Sequence, residues 1–151
     1  MTITAETTPG TTTTADDEGR PLLVLLAGPY RSGTGDDPDR LAANLARLEA
    51  AAWPVFRAGH VPMIGEWVAL PVLRGAGGTS VADPVATGIL YPTADRLLAH
   101  CDAVLRLPGA SAGADQDVAI ARERGLPVWY RLEDVPGHAP AAGDPELAPA
   151  A

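Results

Sequence analysis

Cysteine is almost missing: Cys101 is the only one in 151 residues. No internal disulfide can form, and a lone cysteine just before an apolar strand is most simply a small core residue. No apolar run approaches the roughly 20 residues that a membrane span needs. The first 15 residues carry neither a basic start nor an apolar core, so no secretory leader is read there and the cytoplasm is the expected location. No basic cluster is dense enough to compete for a phosphate backbone. Trp53, Trp67 and Trp129 are too scattered to form a base-stacking stripe, so no nucleic-acid partner is expected. His60, His100 and His138 lack close-spaced ligand partners, which argues against a metal centre. Neither a Walker loop nor a dinucleotide fingerprint is present, because no Lys closes a Gly-rich segment and Gly28 lacks its second glycine. Ser111 lacks the nucleophile-elbow pattern. No cofactor is implied.

What is present is a globular composition, 46% apolar and 20% charged, enough for one domain with a real core. The net charge of -8 owes much to acids near the two ends. Residues 1–19 are Thr-rich and 136–151 are mostly Ala, Pro, Gly and acid, so both read as disordered tails around a folded unit of 20–135.

Within that unit, apolar runs and helical periodicities alternate. Leu22–Ala27 is an unbroken apolar run, as a central parallel strand requires. Asp36 or Asp37 caps a helix with Pro38 in its first turn and Leu41, Leu45 and Leu48 along one stripe. Pro54 predicts a kink or restart before Gly59. His60–Ile64 reads as a second strand, and 66–73 as a short helix interrupted at Pro71. Residues 75–88 read as a Gly-rich loop, the expected lid or subunit contact. A helix over Pro92–His100, a strand over Asp102–Leu107, a helix over Asp115–Arg124 and a strand over Pro127–Tyr130 follow, with an edge strand or short turn over 132–135. This alternation predicts an α/β, flavodoxin-like (Rossmann-like) parallel sheet with helices on both faces.

Two strand ends carry chemistry. After the first strand, Gly28 permits close backbone approach, Tyr30 offers a ring and a hydroxyl, and Arg31 with Ser32 suits a phosphate. After the third, Ser111 to Asp117 forms a small-residue turn into a helix, where open α/β sheets bind ligands. Asp115 reads as the helix cap. Asp117 reads as an acid pointing across the crevice toward Tyr30, kept ionised by the helix N-terminus and so suited to act as a nucleophile. The alternative is that both are ordinary first-turn acids.

Leu25-Leu26-Ala27-Gly28-Pro29-Tyr30 resembles the first-strand signature of the nucleoside 2-deoxyribosyltransferase-like superfamily. Cys101–Gly109 is similar to its central strand, nearest to the branch of uncharacterised domains of unknown function. Ser111-Ala112-Gly113-Ala114, followed by Asp117 and Ala121, resembles the pattern of the catalytic turn. The likeness covers about 22–131 and is weakest over 65–90. It implies a nucleoside or nucleotide pocket, often completed by a second subunit in a homodimer or higher homo-oligomer. It also implies cleavage of the bond between base and sugar: a glutamate attacks the anomeric carbon, a second acid helps the base leave, and the glycosyl group passes to another base or to water. By that match Asp117 stands for the glutamate, one methylene shorter. Gly28 and Tyr30 line the sugar and base pocket, and Arg31, Ser32 and Ser111 receive a 5′-phosphate, with Gly113 and Asp115 completing the binding set. The second acid is expected at position 94, which here is Ala94; Asp95, one step on, and Glu66 are the candidates in its place.

Three functions follow: N-glycosidic cleavage or transfer on a nucleoside or its 5′-monophosphate, nucleotide or sugar-phosphate binding without turnover, or a structural domain that works through the 75–88 loop and the acidic ends.

Overall fold

The computed structural model describes residues 19–137. Nearly all of the two expected tails therefore lies outside the described residues. Four parallel strands, Leu23–Ala27 (β1), Val61–Met63 (β2), Ala103–Arg106 (β3) and Val128–Trp129 (β4), form one sheet in the order β2-β1-β3-β4. Five helices connect them: Pro38–Ala50 (α1), Ala52–Arg57 (α2), Gly65–Gly75 (α3), Thr87–Leu98 (α4) and Ala112–Glu123 (α5). This is the flavodoxin-like α/β fold that the alternation predicts.

The sheet separates two cores because side chains alternate along each strand. Val24, Leu26, Ala103 and Leu105 meet Leu48, Ala51 and Val55 of the α1–α2 layer. Leu25, Ala27 and Val104 meet Leu98 of α4 and Ala114, Val118 and Ala121 of α5 on the other face. Cys101 packs in this second cluster as a buried core residue. A third cluster, Leu73, Val81 and Ala86, closes the end where α3 and α4 pack together.

Local chemistry sets most boundaries. Asp37 caps α1 by accepting from the amides of Asp39 and Arg40, and Pro38 occupies the first turn, where its missing N–H has no helical partner. The helix breaks at Ala51 and restarts as α2, whose first turn accommodates Pro54. Two prolines act otherwise than expected. Pro71 lies inside an uninterrupted α3, and Pro92 lies inside α4, which begins at Thr87 rather than at Pro92. Tertiary packing of α3 against α4 outweighs the local cost of each proline. The loop is thereby shortened, and it contains a 3-10 turn at Pro84–Ala86. Residues 132–134 form a 3-10 turn, the second of the two expected forms.

The packed unit reaches beyond 135. Val135 is buried, and the Pro136 carbonyl accepts from His60 Nε2 at 2.7 Å. His60 Nδ1 accepts from the Leu22 amide at 3.1 Å, so this buried ring joins both ends of the described chain.

β1 lies between β2 and β3, and successive connections leave it in opposite directions. Loops at the carboxyl ends of β1 and β3 consequently splay apart above the sheet, which is where such folds hold ligands.

Candidate functional site

A cleft of about 300 Å³ opens at that point. Leu25 and Leu26 of β1 lie at its base; Gly28, Tyr30, Arg31 and Ser32 come from the following loop, Gly65, Glu66 and Ala69 from α3, and Ser111, Gly113 and Asp117 from the turn into α5 and α5 itself. The loops after β1 and β3 touch through Pro29 and Gly109. A Cβ on Gly109, whose φ is +114°, would lie 2.7 Å from Pro29 Cγ. Gly28 is needed for the same reason: a Cβ there would meet Leu48 Cδ2 at 3.0 Å and Leu107 Cβ at 3.1 Å.

The α5 wall begins earlier than the sequence suggests. Ser111, not Asp115, is the cap: its Oγ accepts from the Ala114 amide at 3.1 Å. α5 starts at Ala112, so Asp117 sits in the second turn. The helix dipole decays over the first turn, and burial dominates instead. Burial, reinforced by the charge of Glu66 and opposed by Arg106, pushes the Asp117 carboxyl up to about 7. The expectation of an acid kept ionised by the helix end is thus corrected. Asp117 holds its proton until near neutrality.

Glu66 occupies the first turn of α3, and burial raises its pKa as well. Burial and then the charge of Glu66 raise that of Tyr30, whose phenol stays neutral. Two half-buried carboxyl groups and a phenol are therefore gathered in one cleft.

The other expected site residues have different employment. Asp95 does not line the cleft; its carboxylate accepts from Arg124 Nη2 at 3.0 Å on the outer side of α4. Ala94 lines the cleft instead, because one step along a helix turns a side chain by about 100°. Asp115 also lies outside. It accepts from Arg106 Nη2 at 2.9 Å, and the same guanidinium donates to the carbonyls of Leu107 and Gly109. Arg106, 9% exposed, ties the strand end to the first turn of α5. Arg31 lines the cleft but is held by Asp36, with Nε to Oδ1 at 2.6 Å and Nη2 to Oδ2 at 2.9 Å.

Sequence reasoning missed the α4 wall. Thr87, Leu90 and Tyr91 line the cleft, and the Tyr91 ring comes within 4.0 Å of where a Gly113 Cβ would stand. Reading the helix from Pro92 placed these residues in or beside a loop. The Ile89-Leu90 pair before an aromatic was the available signal.

Among the described residues, no group of three or more His, Cys, Asp or Glu side chains is placed to hold a metal ion. No described helix is long and apolar enough to cross a membrane. No protein-family model, curated protein or solved structure matches this chain.

Proposed function

We propose that this protein cleaves or transfers at the N-glycosidic bond of a nucleoside-type substrate. One observation carries the reading: Asp117 and Glu66 share a cleft with Tyr30 at the switch point of the sheet. Paired carboxylates that share a proton suit glycosyl chemistry, in which one acid must be ionised and the other protonated.

Below about 7 the pair holds one proton, which rests on Asp117; the productive form is the tautomer in which that proton has passed to Glu66 and Asp117 is ionised. A carboxylate oxygen of Asp117 bonds to the anomeric carbon as the carbon–nitrogen bond breaks. The electron pair of that bond goes to the base nitrogen, which takes the proton of Glu66. A water oxygen or a nitrogen of an acceptor base then attacks the anomeric carbon. Asp117 leaves as carboxylate, and the proton shed by the attacking atom returns to Glu66. Tyr30 offers a neutral hydroxyl donor and a ring face to the substrate. Ser111, engaged through its acceptor in capping α5, keeps its own hydroxyl proton for the ligand.

The reading includes action in the cytoplasm, where the Cys101 thiol stays reduced, and assembly with further copies of the chain. Val68 and Val72 on α3 and Val85 just before α4 are exposed, which supports such a contact. Sedimentation would reveal it.

The test of the chemistry is incubation with deoxyribo- and ribonucleosides and their 5′-monophosphates, followed by chromatography for free base. Release by the wild type and its loss in Asp117→Ala are expected. Binding without release would make the protein a non-catalytic nucleotide binder, and release unchanged by Asp117→Ala would overturn the assignment.

A further inference from the structure

We propose that Asp36 is a specificity-determining residue that restricts the cleft to nucleosides without a 5′-phosphate; this rests on the glycosidic reading above. The charged groups lining the cleft are Arg31, Glu66 and Asp117. Arg31 is thus the cation a phosphate would seek, and Asp36 already occupies it. The pair is bidentate, with Nε and Nη2 of the guanidinium each donating to one carboxylate oxygen. This is the geometry in which Arg otherwise grips a phosphate.

The loop is built to bring Asp36 there. Gly33 and Gly35 take left-handed φ values of +72° and +57°, and Asp36 follows at +61° without being glycine. A non-glycine residue in that region persists only where its surroundings fix it. Thr34, 3% exposed, does so. Its hydroxyl donates to the Arg31 carbonyl at 2.6 Å and accepts from the Asp36 amide at 3.2 Å. The carboxylate returns to Arg31 from outside the cleft, since Asp36 borders the neighbouring hollow between α1 and α3. A phosphate dianion gripping Arg31 by the same Nε–Nη2 edge would have to displace that carboxylate, and by any other edge it would sit beside Asp36 in a cleft that already holds Glu66 and Asp117. An uncharged sugar hydroxyl meets neither obstacle.

Asp36→Asn removes the charge and keeps a residue that tolerates left-handed φ. Asp36→Gly removes the side chain and relieves the backbone. Calorimetry on the wild type and both variants, with the four 2′-deoxynucleosides and their 5′-monophosphates, measures the preference. The wild type should bind nucleoside at least about tenfold more tightly than monophosphate. Both variants should shift that ratio toward monophosphate by about tenfold or more, and adding Arg31→Ala should cancel the shift. A wild type that prefers monophosphate, or an unmoved ratio in folded Asp36→Asn and Asp36→Gly proteins that still bind nucleoside, overturns the role of Asp36 alone. Failure of the wild type to bind any nucleoside or monophosphate overturns the glycosidic reading with it.

Discussion

Glu66, in the first turn of α3, and Asp117, in the second turn of α5, line one cleft closely enough that the charge of Glu66 raises the pKa of Asp117. Neither acid is within 50 residues of the other in the chain. Their encounter is made by the crossover that brings α3 and α5 to the same end of the sheet.

If the pair works with one proton, kcat/KM should follow a bell in pH. The alkaline limb falls near 7, where Asp117 loses its proton and both acids are ionised. The acid limb lies lower, where both are protonated, and each limb belongs to the pair rather than to one residue. Glu66→Gln removes both the repulsion and the donor. It should lower kcat/KM by about 10²–10⁴-fold and lower the pKa of Asp117, leaving a single rising limb below 7. A pH-rate profile of each protein checks this.

The raised pKa of Asp117 also has a cost in stability. The sign follows from linkage: folded Asp117 titrates near 7, against about 3.9 in an unfolded chain. Below pH 3.9 the carboxyl is neutral in both states and nothing is lost. Between about pH 3.9 and about 7 the unfolded chain ionises while the half-buried folded acid keeps its proton, so stability falls across that window and the loss is complete above 7. Asp117→Asn should therefore stabilise the protein by about 1–3 kcal/mol at pH 8, several degrees in Tm, and by little at pH 4. Thermal melts at both values decide it. A stabilising substitution that abolishes turnover is the expected behaviour of an active-site acid.

Arg106 is a positioning residue. It holds the carbonyls of Leu107 and Gly109 and the carboxylate of Asp115, and it opposes the rise in the pKa of Asp117. Arg106→Met should destabilise the fold by about 2–4 kcal/mol, with buried polar groups left unpaired, and move the alkaline limb of the pH profile upward. Arg106→Lys keeps a charge but not the fork, so it should restore the limb toward its original position more fully than it restores Tm. A purely structural role would leave the limb where it was.

The sheet was legible because its strands are bounded apolar runs, and β1 through Leu26 and β3 through Leu105 needed nothing beyond that signal. The cleft was partly legible. Tyr30, Ser111 and Asp117 announce themselves by lying in the turns after strands. Glu66 was visible as an acid but not as a neighbour of Asp117, since only the long-range packing of α3 puts it there. Tyr91 was hidden by Pro92, which reads as a helix start and in fact lies mid-helix. The state of Asp117 was misjudged for a related reason. Starting α5 at Asp115, three residues late, puts the acid in the first turn under the helix dipole; the helix starts at Ala112, which puts it in the second turn, where burial governs.

Gly109 offers the sharpest test of how the two site loops are joined. Its φ of +114° is strained for any other residue, and an added Cβ would lie 2.7 Å from the ring of Pro29, which cannot swing aside. Gly59 shares the first property alone: its φ is +99°, and nothing lies within 4 Å of its absent Cβ. Gly59→Ala therefore measures backbone strain, about 1–2 kcal/mol. Gly109→Ala should cost about 1–3 kcal/mol more, because overpacking is added to strain. The second measurement separates the site from the scaffold. Well below the melting temperature, Gly59→Ala should turn over substrate as the wild type does. Gly109→Ala should be slower by about tenfold or more, because parting the loops after β1 and β3 displaces Tyr30 relative to Asp117, and a shift approaching 1 Å costs about a hundredfold. Equal turnover by the two folded variants would show that contact between these loops does not set the geometry of the cleft.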